Sequence, residues 1–164
     1  MTPPGDAGAG EGRAVRLQRL DHVGIAVHDL AAARGLYERA LGLVVAHEEI
    51  VKDQGVHELL FRAGDAWVQL VAPLAPDTPV GRFLARRGEG LHHVGYAVAD
   101  VAGALDELRA EGVELIDQAP RIGSGGTTVA FVHPKALLGV LVELVEEGSG
   151  HRGHAAVDRE GRTG

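Results

Sequence analysis

Leu20-Asp-His-Val-Gly-Ile-Ala-Val-His-Asp-Leu-Ala-Ala-Ala33 returns 71 residues later as Leu91-His-His-Val-Gly-Tyr-Ala-Val-Ala-Asp-Val-Ala-Gly-Ala104, with 9 identities in 14 positions. A match of that density at constant offset marks an internal duplication. Each copy opens on a β-branched run of strand type and reaches an aspartate, Asp29 or Asp100, where a carboxylate suits a helix N-cap. Helices are therefore expected at about Ala31–Leu41 and Val101–Glu111, closed by Gly42 and Gly112, which tolerate the left-handed conformation of a helix end. Three further apolar segments follow each helix, near Leu43–Val51, Val56–Arg62 and Ala66–Ala72 in the first copy. In the second they lie near Val113–Arg121, Thr127–His133 and Gly139–Glu146. The unit is βαβββ, used twice, which places the chain in the α+β class.

Working outward, modules at about 20–72 and 91–146 are joined by a linker, 73–90, in which Thr78-Pro79 is set to cap and open a short helix, Val80–Arg87. The expected domain is 17–146. Residues 1–16 and 147–164 are rich in Gly, Ala and charge without apolar period, and are expected to be flexible tails. His151 and His154 fall in the second tail, where nothing orients them for a metal, so they are set aside.

Composition narrows the function classes. The 164 residues carry 16 Lys+Arg against 23 Asp+Glu, with 45% hydrophobic and 4% aromatic residues. A net charge of −7 with so few rings gives neither a field that tracks phosphates nor a stacking platform, so nucleic acid is not an expected partner. The absence of cysteine excludes disulfides, a thiolate zinc site and a cysteine nucleophile. Apolar stretches are strand-sized and no secretory pattern opens the chain, so no membrane partner is expected and the cytoplasm is the default location.

The repeat also aligns the last strands, placing Val68-Gln-Leu-Val71 over Val142-Glu-Leu-Val145. His22 thus corresponds to His93, and Gln69 to Glu143. Two modules packed about a pseudo-twofold axis would converge two imidazoles and two side-chain oxygens on one point, a metal-site constellation. Strand alternation agrees. His22 shares a face with Gly24 and Ala26, and His93 with Gly95 and Ala97, which leaves room, while Val23, Ile25 and Val27 line the other face. The alternative is a pair of core histidines donating to backbone carbonyls, with small neighbours only for close packing. Four polar side chains embedded in apolar strands are costly to bury without compensation, which favours the metal. His92 is then the outward neighbour. The mixed N/O donor set suits a six-coordinate divalent ion, Co²⁺, Mn²⁺, Fe²⁺ or Ni²⁺, with positions left for substrate oxygens, and argues against closed structural zinc.

These residues, with five blocks of sequence, resemble the vicinal oxygen chelate (glyoxalase/bleomycin resistance/dioxygenase) superfamily and, within it, the methylmalonyl-CoA epimerase family. The blocks are Gln54-Gly-Val-His-Glu58, Val68-Gln-Leu-Val-Ala-Pro73, Gly88-Glu-Gly-Leu-His-His93, Arg121-Ile-Gly-Ser-Gly-Gly126 and His133-Pro-Lys135 leading to Gly139-Val-Leu-Val-Glu143. The resemblance spans about Leu20 to Glu146 and implies a cupped mixed β-sheet around the metal. It makes His22, Gln69, His93 and Glu143 the metal ligands, with Co²⁺ favoured and Mn²⁺, Ni²⁺, Fe²⁺ or Zn²⁺ as substitutes, and Glu58 a catalytic base. The implied reaction interconverts (2R)- and (2S)-methylmalonyl-CoA by 1,1-proton transfer through a metal-stabilised enolate, with Glu143 as candidate for the second proton transfer. The family also implies a homodimer. For the CoA tail, Arg82, Arg86 and Arg87 could meet phosphates or form a solvated basic face. The Gly123-Ser-Gly-Gly126 loop could offer N–H groups to the substrate carboxylate or be an ordinary turn. A glyoxalase I-like lyase and a non-catalytic small-molecule binding or resistance protein remain the alternatives on this scaffold, while an extradiol dioxygenase is disfavoured by four matched ligands.

Overall fold

The two copies of the repeat lie side by side. In the computed structural model, which describes residues 14–150, the strands β1 (Arg19–Ala26) and β5 (Gly90–Val98) pair antiparallel at the centre of one eight-stranded mixed sheet. From β1 the sheet runs outward through β4 (Ala66–Pro73), β3 (Val56–Ala63) and β2 (Val45–Val51). From β5 it runs through β8 (Val142–Glu146), β7 (Thr128–Val132) and β6 (Arg121–Ile122). The order β2-β3-β4-β1-β5-β8-β7-β6 reads alike from either edge, so the pseudo-twofold axis passes between β1 and β5. The parallel pairs β1/β4 and β5/β8 need crossovers, and these contain α1 (Leu30–Leu41) and α3 (Val101–Ala110).

Both helices cover the convex face. Val27, Leu30, Leu59, Phe61 and Leu70 form the core under α1, and Val101, Ala104, Leu105, Ala130 and Leu144 the equivalent core under α3. The opposite face is concave, and one contact measures its curl. Five strands separate β2 from β7, six spacings of about 4.8 Å, so a flat sheet would hold them roughly 29 Å apart. Instead the Gly125 N–H, in the turn between β6 and β7, donates to Glu49 Oε2 of β2 at 2.7 Å. The edges nearly meet. The linker helix α2 (Pro79–Arg87) covers one end of the cup, with Val80 and Leu84 packed on Ala26, Val56 and Val71. Its Thr78 cap and first-turn proline are as the sequence predicts.

Three local expectations fail for physical reasons. Val113–Arg121 is not a regular strand: Leu115 makes an isolated bridge to Val132, and only Arg121–Ile122 pairs thereafter. Phe131 O already receives the N–H groups of both Ile116 and Asp117, and Pro120 supplies none. Asp29 caps α1 by accepting from Ala32 N at 2.9 Å, but Asp100 makes no side-chain cap. The first helical N–H, of Val101, donates to Glu146 Oε1. The last strand begins at Val142, since Gly139 has φ 91°. Of the expected tails, 1–13 and 151–164, including His151 and His154, lie outside the described residues. Glu147 bonds to Val98 O, and Ser149 Oγ accepts from the Thr128 N–H.

Candidate functional site

Strand register brings the polar side chains to one place. Across β1 and β5, His22 stands opposite Gly95 and Gly24 opposite His93, so each imidazole lies over the other strand's glycine. A Cβ on Gly24 would sit 2.0 Å from His93 Cε1, and one on Gly95 2.1 Å from His22 Cε1. The glycines of the repeat exist to let the rings cross. In the neighbouring strands Gln69 is in register with Gly24 and Glu143 with Gly95, so all four residues share the concave face.

Three donors converge. His22 Nε2 lies 2.9 Å from His93 Nε2 and 3.1 Å from Glu143 Oε2, which is 3.2 Å from His93 Nε2. Neighbouring donors on an octahedral ion with bonds of about 2.1 Å stand about 3.0 Å apart, which matches these three edges. Asp21 Oδ2 lies 2.8 Å from His22 Nδ1, and a carboxylate accepts there, so the Nε2 lone pair of His22 faces the cluster. Two imidazole nitrogens at 2.9 Å need a proton or a cation between them. Burial would raise the Glu143 pKa, yet the charge and hydrogen bonds of His22 and His93 hold it well below the usual carboxylate range.

Gln69, in register with Gly24 on the same face, bonds to Glu58. Its Nε2 donates to Glu58 Oε2 at 2.6 Å, an orientation fixed because a carboxylate accepts. That leaves Gln69 Oε1 buried with no hydrogen-bond partner, a donor atom suited to a cation. The residues fit a divalent ion. Glu58 is fully buried on β3. It pairs with Val71, the repeat equivalent of Val145, which pairs with Val129, so Glu58 has a valine as its counterpart in the second module. This explains why the duplication could not reveal it.

Other expected residues are placed differently. His92 is not outward. A register irregularity between Gly24 and Ile25 lets it turn under α2, half-buried, edge-on to Phe83, with Nδ1 2.9 Å from His93 Nδ1. Burial and the neighbouring His93 push its pKa down to about 4. Arg82, Arg86 and Arg87 are exposed on α2, and Arg82 donates to the Asp77 carbonyl. The glycine loop is not an array of waiting donors: the Gly123, Gly125 and Gly126 N–H groups bond to Thr127 O, Glu49 and Gly123 O. A cavity of about 150 Å³ opens beside the cluster, lined by Val71, Val80, His92, His93, Arg121 and Phe131.

The sequence reading missed His47 and Glu49. Glu49 faces Glu58 across β2 and β3, His47 Nε2 lies 2.8 Å from Glu49 Oε2, and the three residues hold ligand-type atoms within 4.8 Å of one another. Their signal was alternation: His47, Glu49 and Val51 share a face in an edge strand whose charges look merely solvated.

Residues 21–131 match the sequence profile of the Glyoxalase/Bleomycin resistance protein/Dioxygenase superfamily. An ethylmalonyl-CoA/methylmalonyl-CoA epimerase of Cereibacter sphaeroides is 38% identical over 77% of this chain and 96% of its own length. The chain belongs to the methylmalonyl-CoA epimerase family of that superfamily. The crystal structure of the Mycobacterium tuberculosis epimerase superposes with a TM-score of 0.77 at 41% identity, covering 79% of this chain and 88% of that one. A Streptomyces coelicolor epimerase variant in complex with 2-nitronate-propionyl-CoA gives 0.78 at 38% identity, covering 82% and 99%. Epimerases of this superfamily imply a divalent metal, and the cluster of His22, His93 and Glu143 is a candidate site for it. Among the described residues no helix is long and apolar enough to cross a membrane.

Proposed function

We propose that this chain is a methylmalonyl-CoA epimerase in which His22, Gln69, His93 and Glu143 hold a divalent ion, Co²⁺ first among the candidates, and Glu58 and Glu143 exchange the C2 proton. What supports this most is the placement of two buried carboxylates. Glu58 on β3 and Glu143 on β8 are four strand steps apart in the sheet, and so stand on opposite walls of the cup. Inversion at C2 requires a proton to leave one face and return on the other, which is the service two opposed carboxylates provide.

When bound, the ion supplies Lewis-acid stabilisation of the negative charge that develops on the substrate oxygens. The remaining work is the chain's own. Glu58 takes the C2 proton while the Gln69 amide steadies its Oε2. Val71, Phe131 and Val80 exclude water from the cavity, which strengthens the electrostatics of the step. Glu143 keeps Oε2 beside the two imidazole Nε2 atoms, at 3.1 and 3.2 Å, where it would hold the ion, and exchanges the proton from the far wall through its other oxygen. The acyl head occupies the cavity and the CoA portion extends past α2. The proposal includes a homodimer in the cytoplasm, which light scattering and fractionation test.

The deciding experiment strips the protein of metal, restores Co²⁺ and follows solvent deuterium into C2 of methylmalonyl-CoA by NMR. Rapid metal-dependent exchange with loss of the starting stereochemistry is expected. Absence of exchange in a folded, metal-loaded protein overturns the activity.

A further inference from the structure

Asp21 and His92 occupy the same position of the repeat, 71 residues apart, each directly before a histidine of the cluster. Both reach the Nδ1 of the ring that follows, Asp21 Oδ2 at 2.8 Å from His22 and His92 Nδ1 at 2.9 Å from His93. The geometry is repeated, but the chemistry is not. Asp21 is a buried carboxylate, 4% exposed, and Arg19 Nη2 stands 3.3 Å from its other oxygen. Arg19 is braced in turn by the Asp65 carbonyl at 3.1 Å and Glu147 at 3.2 Å. His92 is an imidazole that brings no negative charge and is positioned by its edge-on contact with Phe83 of α2, 4.8 Å between centroids.

We propose that Asp21, held by Arg19, is a positioning residue that locks His22 with its proton on Nδ1 and makes it the stronger of the two imidazole donors, so that a site on a nearly symmetric backbone is electronically one-sided. The donor ranking rests on the metal site proposed above. A ligating histidine whose second nitrogen donates to a carboxylate is both oriented and made more basic, and loss of such a partner typically costs about 10–100-fold in metal affinity. His93 leans on a neutral ring and lacks that reinforcement. His22 therefore anchors the ion, and His93 is the ligand that yields first.

The test has two arms. In the metal-free protein, long-range ¹⁵N–¹H NMR reads the His22 ring directly, and a proton on Nδ1 is expected; a proton on Nε2 overturns the proposal. Calorimetric Co²⁺ titration then compares D21A, D21N and H92N. D21A removes acceptor and charge, and should weaken binding by about 10–100-fold. D21N keeps an acceptor without charge and should lose less, yet more than H92N. Equal losses in D21N and H92N, or wild-type binding by D21A, overturn the proposal. Should D21A fail to fold, D21N and R19Q carry the test, and wild-type Co²⁺ binding by both overturns it. A wild-type chain that takes up no Co²⁺ overturns the metal site itself and the donor ranking with it, whereas uptake indifferent to Asp21 overturns only the inference drawn here.

Discussion

Replacing Gly24 with alanine tests the crossed-ring geometry at the cost of one methyl group. The new Cβ would stand 2.0 Å from His93 Cε1, 2.4 Å from Nδ1 and 2.6 Å from Nε2. Carbon atoms rest about 3.5–4.0 Å apart, so the ring must retreat by roughly 1.5 Å or more. It has little room, since His22, His92 and Phe131 all pack edge-on against it. A retreat of that size removes Nε2 from the 2.9 Å contact with His22 and from Glu143. Alanine already stands in the same strands at Ala26 and Ala97, so the sheet should form. Overpacking predicts a loss of about 1–3 kcal/mol in stability. Misplacement by about 1 Å predicts at least about 100-fold lower turnover. Circular dichroism with urea titration, Co²⁺ calorimetry and deuterium incorporation at C2 read the three effects separately. A folded G24A protein with wild-type Co²⁺ affinity and turnover would refute the reasoning, and G95A, which strikes His22 instead, should behave alike.

E58Q keeps the partner of the Gln69 amide while removing the base, so deuterium incorporation should fall by about 10²–10⁴-fold with Co²⁺ affinity unchanged; turnover at the wild-type rate sinks the role. Saturating the site at about 100 times Kd should add about 2.7 kcal/mol, which raises the melting temperature by roughly 5–11 °C for a domain of this size. Calorimetry with and without chelator checks this, and an unmoved transition argues against an ion held by the fold. E49A removes the acceptor for the Gly125 N–H and with it a link across the mouth of the cup, a loss of about 1.5 kcal/mol. Faster hydrogen exchange at Gly125 is the expected mark, and unchanged protection there refutes the link.

What was legible in the sequence is what the duplication copied. The strands of the first module, both crossover helices, α2 and the two related donor pairs follow from alternation, glycine placement and offset, because each obeys a local rule that two segments state independently. The failures occur where tertiary contacts replaced local ones. The Val113–Arg121 segment has apolar residues of strand type, but Phe131 O takes two successive N–H groups from it and Pro120 has no N–H to give, so regular pairing waits until Arg121. Asp100 stands at a cap position but makes no side-chain bond there, and the Val101 N–H beside it is bonded to Glu146 of the last strand. Asp21 leaves one trace in the repeat, that His92 stands in its place in the second copy. Glu58 entered only by resemblance, since its counterpart in the second module is apolar, and His47 and Glu49 were hidden in an edge strand full of charge.

The seam between β1 and β5 settles the charge of the site. Each module delivers one imidazole and one side-chain oxygen across it, but the oxygen is an amide in the first and a carboxylate in the second. Two first modules joined at that seam would offer no anion to a divalent ion, and two second modules would offer two and neutralise it. The mixed pair offers one, so on the proposed site a dication held among His22, Gln69, His93 and Glu143 would keep a single positive charge, which an anionic substrate carboxylate would meet on entering the cup.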